Sequence, residues 1–68
     1  MNEIVFRVED AAEGGVIARA LGYSIFTEAD TYDELRGQVR DAVRAHFDDA
    51  DRPAIIRLHY VKDEVLEE

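Results

Sequence analysis

The sequence predicts an α+β domain in which three short strands, one helix and a fourth strand follow one another. Three observations carry this. Residues 3–9, EIVFRVE, place Ile4, Phe6 and Val8 on one side and Val5 and Arg7 on the other, the period of a half-buried strand. Glycines 14, 15 and 22 interrupt the next apolar segments at short intervals, as tight reversals between strands require. After Thr31 the apolar period lengthens to that of a helix.

In chain order, the turn DAAEGG follows the first strand. The second, VIARAL (16–21), sets Val16, Ala18 and Ala20 against Ile17, Arg19 and Leu21. Gly22 turns it into YSIFTE (23–28), where Tyr23, Ile25 and Thr27 alternate with Ser24, Phe26 and Glu28. Thr31, Tyr32, Asp33 and Glu34 fit a capping box: the Thr31 oxygen accepts from the Glu34 amide and the Glu34 side chain returns to the Thr31 amide. The helix then carries Tyr32, Leu35, Val39, Ala42, Val43 and His46 on one stripe and closes at Phe47. Pro53 suits the start of a last strand, AIIRLHYV, with Ile56, Leu58 and Tyr60 opposite Ile55, Arg57, His59 and Val61. Residues 1–61 read as one domain and 62–68 as a charged tail. One helix across one face of the sheet closes the fold.

The bulk numbers narrow the function. A chain of 68 residues buries only about 60% of its unfolded surface, and with no cysteine it has neither disulfide nor thiolate metal site to reinforce it. Oligomerisation is the remaining common route, so a homo-dimer or larger assembly is expected. Sixteen acids against eight bases give a net charge of −8 and a pI near 4.6. That balance disfavours direct nucleic-acid binding, which needs surplus Lys and Arg, and is compatible with a basic protein partner. The N-terminus has no basic leader region and no apolar run suits a bilayer. The expectation is a cytoplasmic protein without membrane contact.

No catalytic set assembles from the sequence. Paired glycines at 14 and 15 lack the flanking pattern of a phosphate loop and read as a turn. A two-metal nuclease needs acids near the middle of its sheet, yet the centre of the first strand is Ile4-Val5-Phe6-Arg7. His46 reads as a hydrogen-bonded structural residue of the helix stripe, and His59 faces away from the helix. Neither shares a ligand spacing with another residue. Arg36, Arg40 and Arg44 recur on the outer helix face with Asp33, Asp41 and Asp48 in pairing range, a solvated ion-pair face. No catalytic residue, metal or cofactor is expected. The face opposite the helix is more telling: Val5, Ile17 and Phe26 with Arg19 and Arg57 form a candidate oligomer interface, beside Arg7 and His59.

EGG at 13–15, Ala18 two residues into the second strand, TEADTYDEL at 27–35 and the helix residues Val39, Ala42, Val43, His46 and Phe47 resemble the HicB-like antitoxin family over about residues 3–60. The resemblance implies a sheet in the order 3-2-1-4, its fourth strand parallel to the first, in a reduced RNase H-like arrangement. It also implies oligomers that cover the RNA-cleaving site of a small basic toxin. Many family members carry a C-terminal DNA-binding motif. Only a charged tail follows Val61 here, so a short, stand-alone member without operator binding is expected. The functional expectation is a non-enzymatic protein-binding module that masks a basic RNase toxin. The alternative is a stand-alone oligomeric domain with a ligand-binding or enzyme-accessory role.

Overall fold

A computed structural model of the chain describes residues 2–62 and 64–68. Met1 and Asp63, assigned above to the domain and to the tail, lie outside the described residues. The elements are β1 (Glu3–Asp10), β2 (Val16–Ala20), β3 (Phe26–Ala29), α1 (Tyr32–His46) and β4 (Ile55–Val61). They build one mixed sheet in the order β3-β2-β1-β4. Both β1–β2 and β2–β3 are antiparallel, whereas β4 runs parallel to β1. A parallel neighbour needs a crossover of a dozen or more residues, and α1 supplies it. The fold is the α+β arrangement expected, in the expected strand order.

Alternation decides which side of each strand meets α1. Ile4, Phe6 and Val8 of β1 are buried, as are Val16 and Ala18 of β2. On α1 the buried residues are Leu35, Val39 and Val43, one every four positions. That spacing keeps them on one face of the helix, and they join the β1 and β2 residues in a single core. Ile56, Leu58 and Tyr60 of β4 pack against it half-buried.

Three strands are shorter than their sequence pattern, the last by a single residue, since β4 begins at Ile55 rather than Ala54. The second ends at Ala20 rather than Leu21, and the third begins at Phe26 rather than Tyr23. The Ala20 amide donates to the Ile25 carbonyl at 3.0 Å, so the intervening residues are consumed by the reversal. Side-chain alternation survives the loss of pairing: Ile25 is buried while Phe26 remains 53% exposed. Beyond Val61, Lys62 and residues 64–68 are exposed and belong to no element.

Candidate functional site

The paired glycines and the TEADTYDEL run converge on one place. In the β1–β2 turn the Ala11 amide donates to the Gly15 carbonyl at 3.0 Å and the Gly14 amide to the Ala11 carbonyl at 3.1 Å. Gly14 and Gly15 both take positive φ, +104° and +79°, as the sequence suggested. Gly15 has a second reason to lack a side chain. A Cβ there would stand 2.7 Å from the Ala29 carbonyl oxygen, so the turn lies directly against the end of β3.

Just beyond β3, Thr31 starts α1. Its backbone is extended, and its Oγ1 accepts the Glu34 amide at 3.2 Å, which satisfies one of the free donors at the helix start. Leu35, the next residue, is fully buried and anchors that first turn. The return half of the expected capping box is not formed: among the described residues the Glu34 carboxylate makes no hydrogen bond to the Thr31 amide. Glu34 is exposed, where water competes for its oxygens, and it turns instead to the rim of a cavity.

That cavity is an open hollow of about 400 Å³ between the β1–β2 turn, β3 and the first turns of α1, with Gly14, Glu28, Asp30, Glu34 and Gln38 in its lining. Ionised carboxylates are acceptor-only groups. The hollow is therefore suited to ammonium or guanidinium donors, with charge-assisted hydrogen bonds as the mode of contact. Among the described residues no group of three or more His, Cys, Asp or Glu side chains is arranged to hold a metal ion. Asp30 and Glu34 border the hollow without converging at one point, whereas Glu28 lines it from β3, and strand alternation turns its side chain to the face away from α1, beside Ile17 and Phe26.

The sheet face away from α1 is uncovered, and strand register arranges its residues in rows. Arg19 of β2 pairs across to Phe26 of β3 on one side and to Arg7 of β1 on the other, and Arg7 in turn pairs to His59 of β4. Ile17 lies opposite Glu9 and Glu28, and Val5 opposite Arg57. All the residues proposed for the oligomer interface thus share this face. Val5 and Ile17 are half-buried, while Phe26, Arg19 and Arg57 are exposed. Arg57 donates to Glu3, Arg7 lies 3.6 Å from Glu9, and the Arg19 guanidinium sits over the Phe26 ring, 5.1 Å from its centroid.

One helix reading needs correction and another holds for two of its three arginines. His46 is exposed, not a hydrogen-bonded core residue. Its ring meets Tyr23 and Phe47 edge-on, with centroids 6.0 and 4.8 Å away. The apolar stripe has rotated past it by the last turn, and Phe47 at the cap takes the half-buried position instead. The outer arginines are also unequal. Arg36 pairs with Asp33 at 2.7 Å and Arg44 with Asp41 at 3.7 Å, while Arg40 makes no such pair among the described residues and, with Arg36, borders a groove formed by Val39, Ile56 and Leu58. Sequence reasoning missed both this groove and the hollow. The groove depends on how α1 sits against β4, and the hollow on how the β1–β2 turn meets the start of α1.

Fold and site together define a small α+β protein with an acidic hollow on one side and an uncovered, arginine-bearing sheet face on the other. A UPF0150 protein of Thermotoga maritima is 43% identical over 62 residues, spanning 91% of this chain and 87% of its own length. A UPF0150 protein of Archaeoglobus fulgidus is 46% identical over 55 residues, spanning 81% of this chain and 82% of its own. The chain belongs to the UPF0150 family. No protein-family model matches it, and no solved structure matches it. No helix among the described residues is long and apolar enough to cross a membrane.

Proposed function

We propose that the chain is a non-enzymatic protein-binding module with an antitoxin-like role, masking a small basic RNA-cleaving partner. The acidic hollow supports this reading best. EGG and TEADTYDEL carry the resemblance to HicB-like antitoxins, and their residues Gly14, Glu28, Asp30 and Glu34 line the hollow. Its chemistry is acceptance of basic side chains, which a basic toxin would supply. On this reading the reduced RNase H-like sheet and helix serve as a preorganised docking surface, without nuclease chemistry.

The mechanism is steric and electrostatic. Carboxylates around the hollow draw in Lys or Arg groups that would otherwise bind RNA phosphates, and the docked domain excludes the RNA. Charge attraction acts mainly on the association rate. Raising ionic strength should therefore slow binding more than it speeds release.

The test is retention of partners from the source organism's lysate on the purified chain, followed by an RNA-cleavage assay of what is retained. A retained ribonuclease that this chain inhibits, and that Asp30→Lys and Glu34→Lys variants release, is the expected result. RNA cleavage by the purified chain alone with magnesium or manganese would overturn the proposal. Retention of a metabolic enzyme alone would favour the accessory role.

A further inference from the structure

The exposed large apolar residues fall in two places. Leu21, Phe26 and Ile55 are 57%, 53% and 47% exposed; register puts Phe26 and Ile55 on the sheet side away from α1, and Leu21 directly follows β2. Val65 and Leu66 are 86% and 80% exposed on the segment that follows β4. We propose that these two surfaces are made for each other: the uncovered sheet face of one copy seats residues 64–68 of a second copy, and the exchange is reciprocal.

Charge complementarity supports the pairing. Residues 64–68 read EVLEE, two apolar side chains framed by three glutamates. The receiving face carries Arg19, Arg7 and His59 side by side in one row. Arg7 and Arg19 are direct cross-strand partners, and like charges in that position repel. Arg7 has Glu9 nearby, whereas Arg19 rests over Phe26 and, among the described residues, has no salt bridge. A glutamate arriving from outside relieves the repulsion while Leu66 or Val65 covers Phe26 and Ile17.

Geometry selects a second copy over the same chain. Val61 pairs with Glu9 at the far end of the parallel β1–β4 ladder, and Lys62 and residues 64–68 are exposed and join no strand of their own sheet. To reach their own arginine row they would have to reverse at once, and VKDEV (61–65) contains no Gly, Pro, Asn or Ser and only Asp63 to favour a tight turn. Extended, the five residues from Val61 to Leu66 reach about 17 Å, enough to cross about three strands spaced ~4.8 Å apart. Twofold symmetry makes two such contacts per dimer, and each raises the effective concentration of the other.

Three measurements test this on the full chain. Sedimentation should show the wild type as a dimer at about 100 μM and a Val65→Ser/Leu66→Ser variant shifted to monomer. A fluorescently labelled peptide of residues 61–68, titrated into that variant, should bind saturably, and adding Arg19→Glu should weaken binding at least about tenfold. Arg7→Glu serves as a second variant, and far-UV circular dichroism checks that each remains folded. A monomeric wild type, an undiminished dimer in the serine variant, or no peptide saturation by about 1 mM overturns the proposal. So does peptide binding indifferent to both Arg19→Glu and Arg7→Glu, which would place the segment elsewhere, such as the Val39–Ile56–Leu58 groove.

Discussion

Tyr32 and Tyr60 stack face to face, their ring centroids 5.3 Å apart and their planes 6° from parallel. Tyr32 is the first residue of α1 and Tyr60 lies one short of the end of β4. The Tyr60 hydroxyl also donates to the Asp10 carboxylate at the end of β1. One tyrosine thereby ties the helix start to two strands that the chain visits some fifty residues apart.

This tie has a pH signature. The hydrogen bond to Asp10 holds the Tyr60 phenol above its ordinary value, helped by partial burial and by the nearby charge of Asp10. The folded chain then keeps a proton that the unfolded chain loses near pH ~10. Where the unfolded state binds fewer protons, stability falls as pH rises. Wild type should lose stability from about pH 10 upward, and Tyr60→Phe should lose less over the same range. Urea unfolding at pH 8, ~10 and ~11 measures the difference, in which the other titrating groups cancel. Equal slopes would dismiss the Asp10 tie.

The helix start offers a second test. Thr31→Ala removes the acceptor of the Glu34 amide and should cost about 0.5–2 kcal/mol. In a domain of this size each kcal/mol lowers the melting temperature by roughly 4–8 °C. Asp30→Ala, one residue outside the cap, should melt within about 2–4 °C of wild type (roughly ±0.5 kcal/mol). Thermal melts of the two variants decide between Thr31 and Asp30 as the capping residue.

The sequence made the elements readable because each has one dominant period. The β1 alternation and the Leu35–Val39–Val43 spacing name their own buried faces. The Thr31 cap was also visible, since capping acts within four residues. What escaped was set by tertiary distance. Nothing local says that Glu34 turns to a hollow shared with Gly14, or that Gly15 lies under the Ala29 carbonyl. His46 failed for the same reason: a helix stripe shows which side faces inward, but not where the sheet beneath it stops.

Two glycines should respond in opposite directions to alanine. Gly15 has φ +79° and a backbone oxygen 2.7 Å from where its Cβ would stand. Left-handed backbone alone costs an alanine about 1–2 kcal/mol, and the crowded Ala29 carbonyl adds to that. Gly37 is exposed within α1 with nothing within 4 Å of its Cβ position, so Gly37→Ala should stabilise by about 0.5–1 kcal/mol. Denaturant midpoints should move down for Gly15→Ala and up for Gly37→Ala. A Gly15→Ala chain as stable as wild type would mean that the turn does not press on β3.

Phe26→Glu separates folding from assembly. Phe26 is already 53% exposed and sits across the ladder from Arg19. A glutamate there gains a cross-strand ion pair with Arg19 while losing the ring beneath the guanidinium, so the isolated fold should change by less than about 1 kcal/mol. An assembled face is affected differently. The new carboxylate satisfies Arg19 within its own chain, repels the incoming glutamates of residues 64–68, and removes the apolar surface they would cover. Wild type should sediment as a dimer or larger at about 100 μM and Phe26→Glu as a monomer, with melting of the dilute chains nearly unchanged. A wild type that is monomeric at that concentration, or a variant that assembles equally well, would show that this face is not where copies meet.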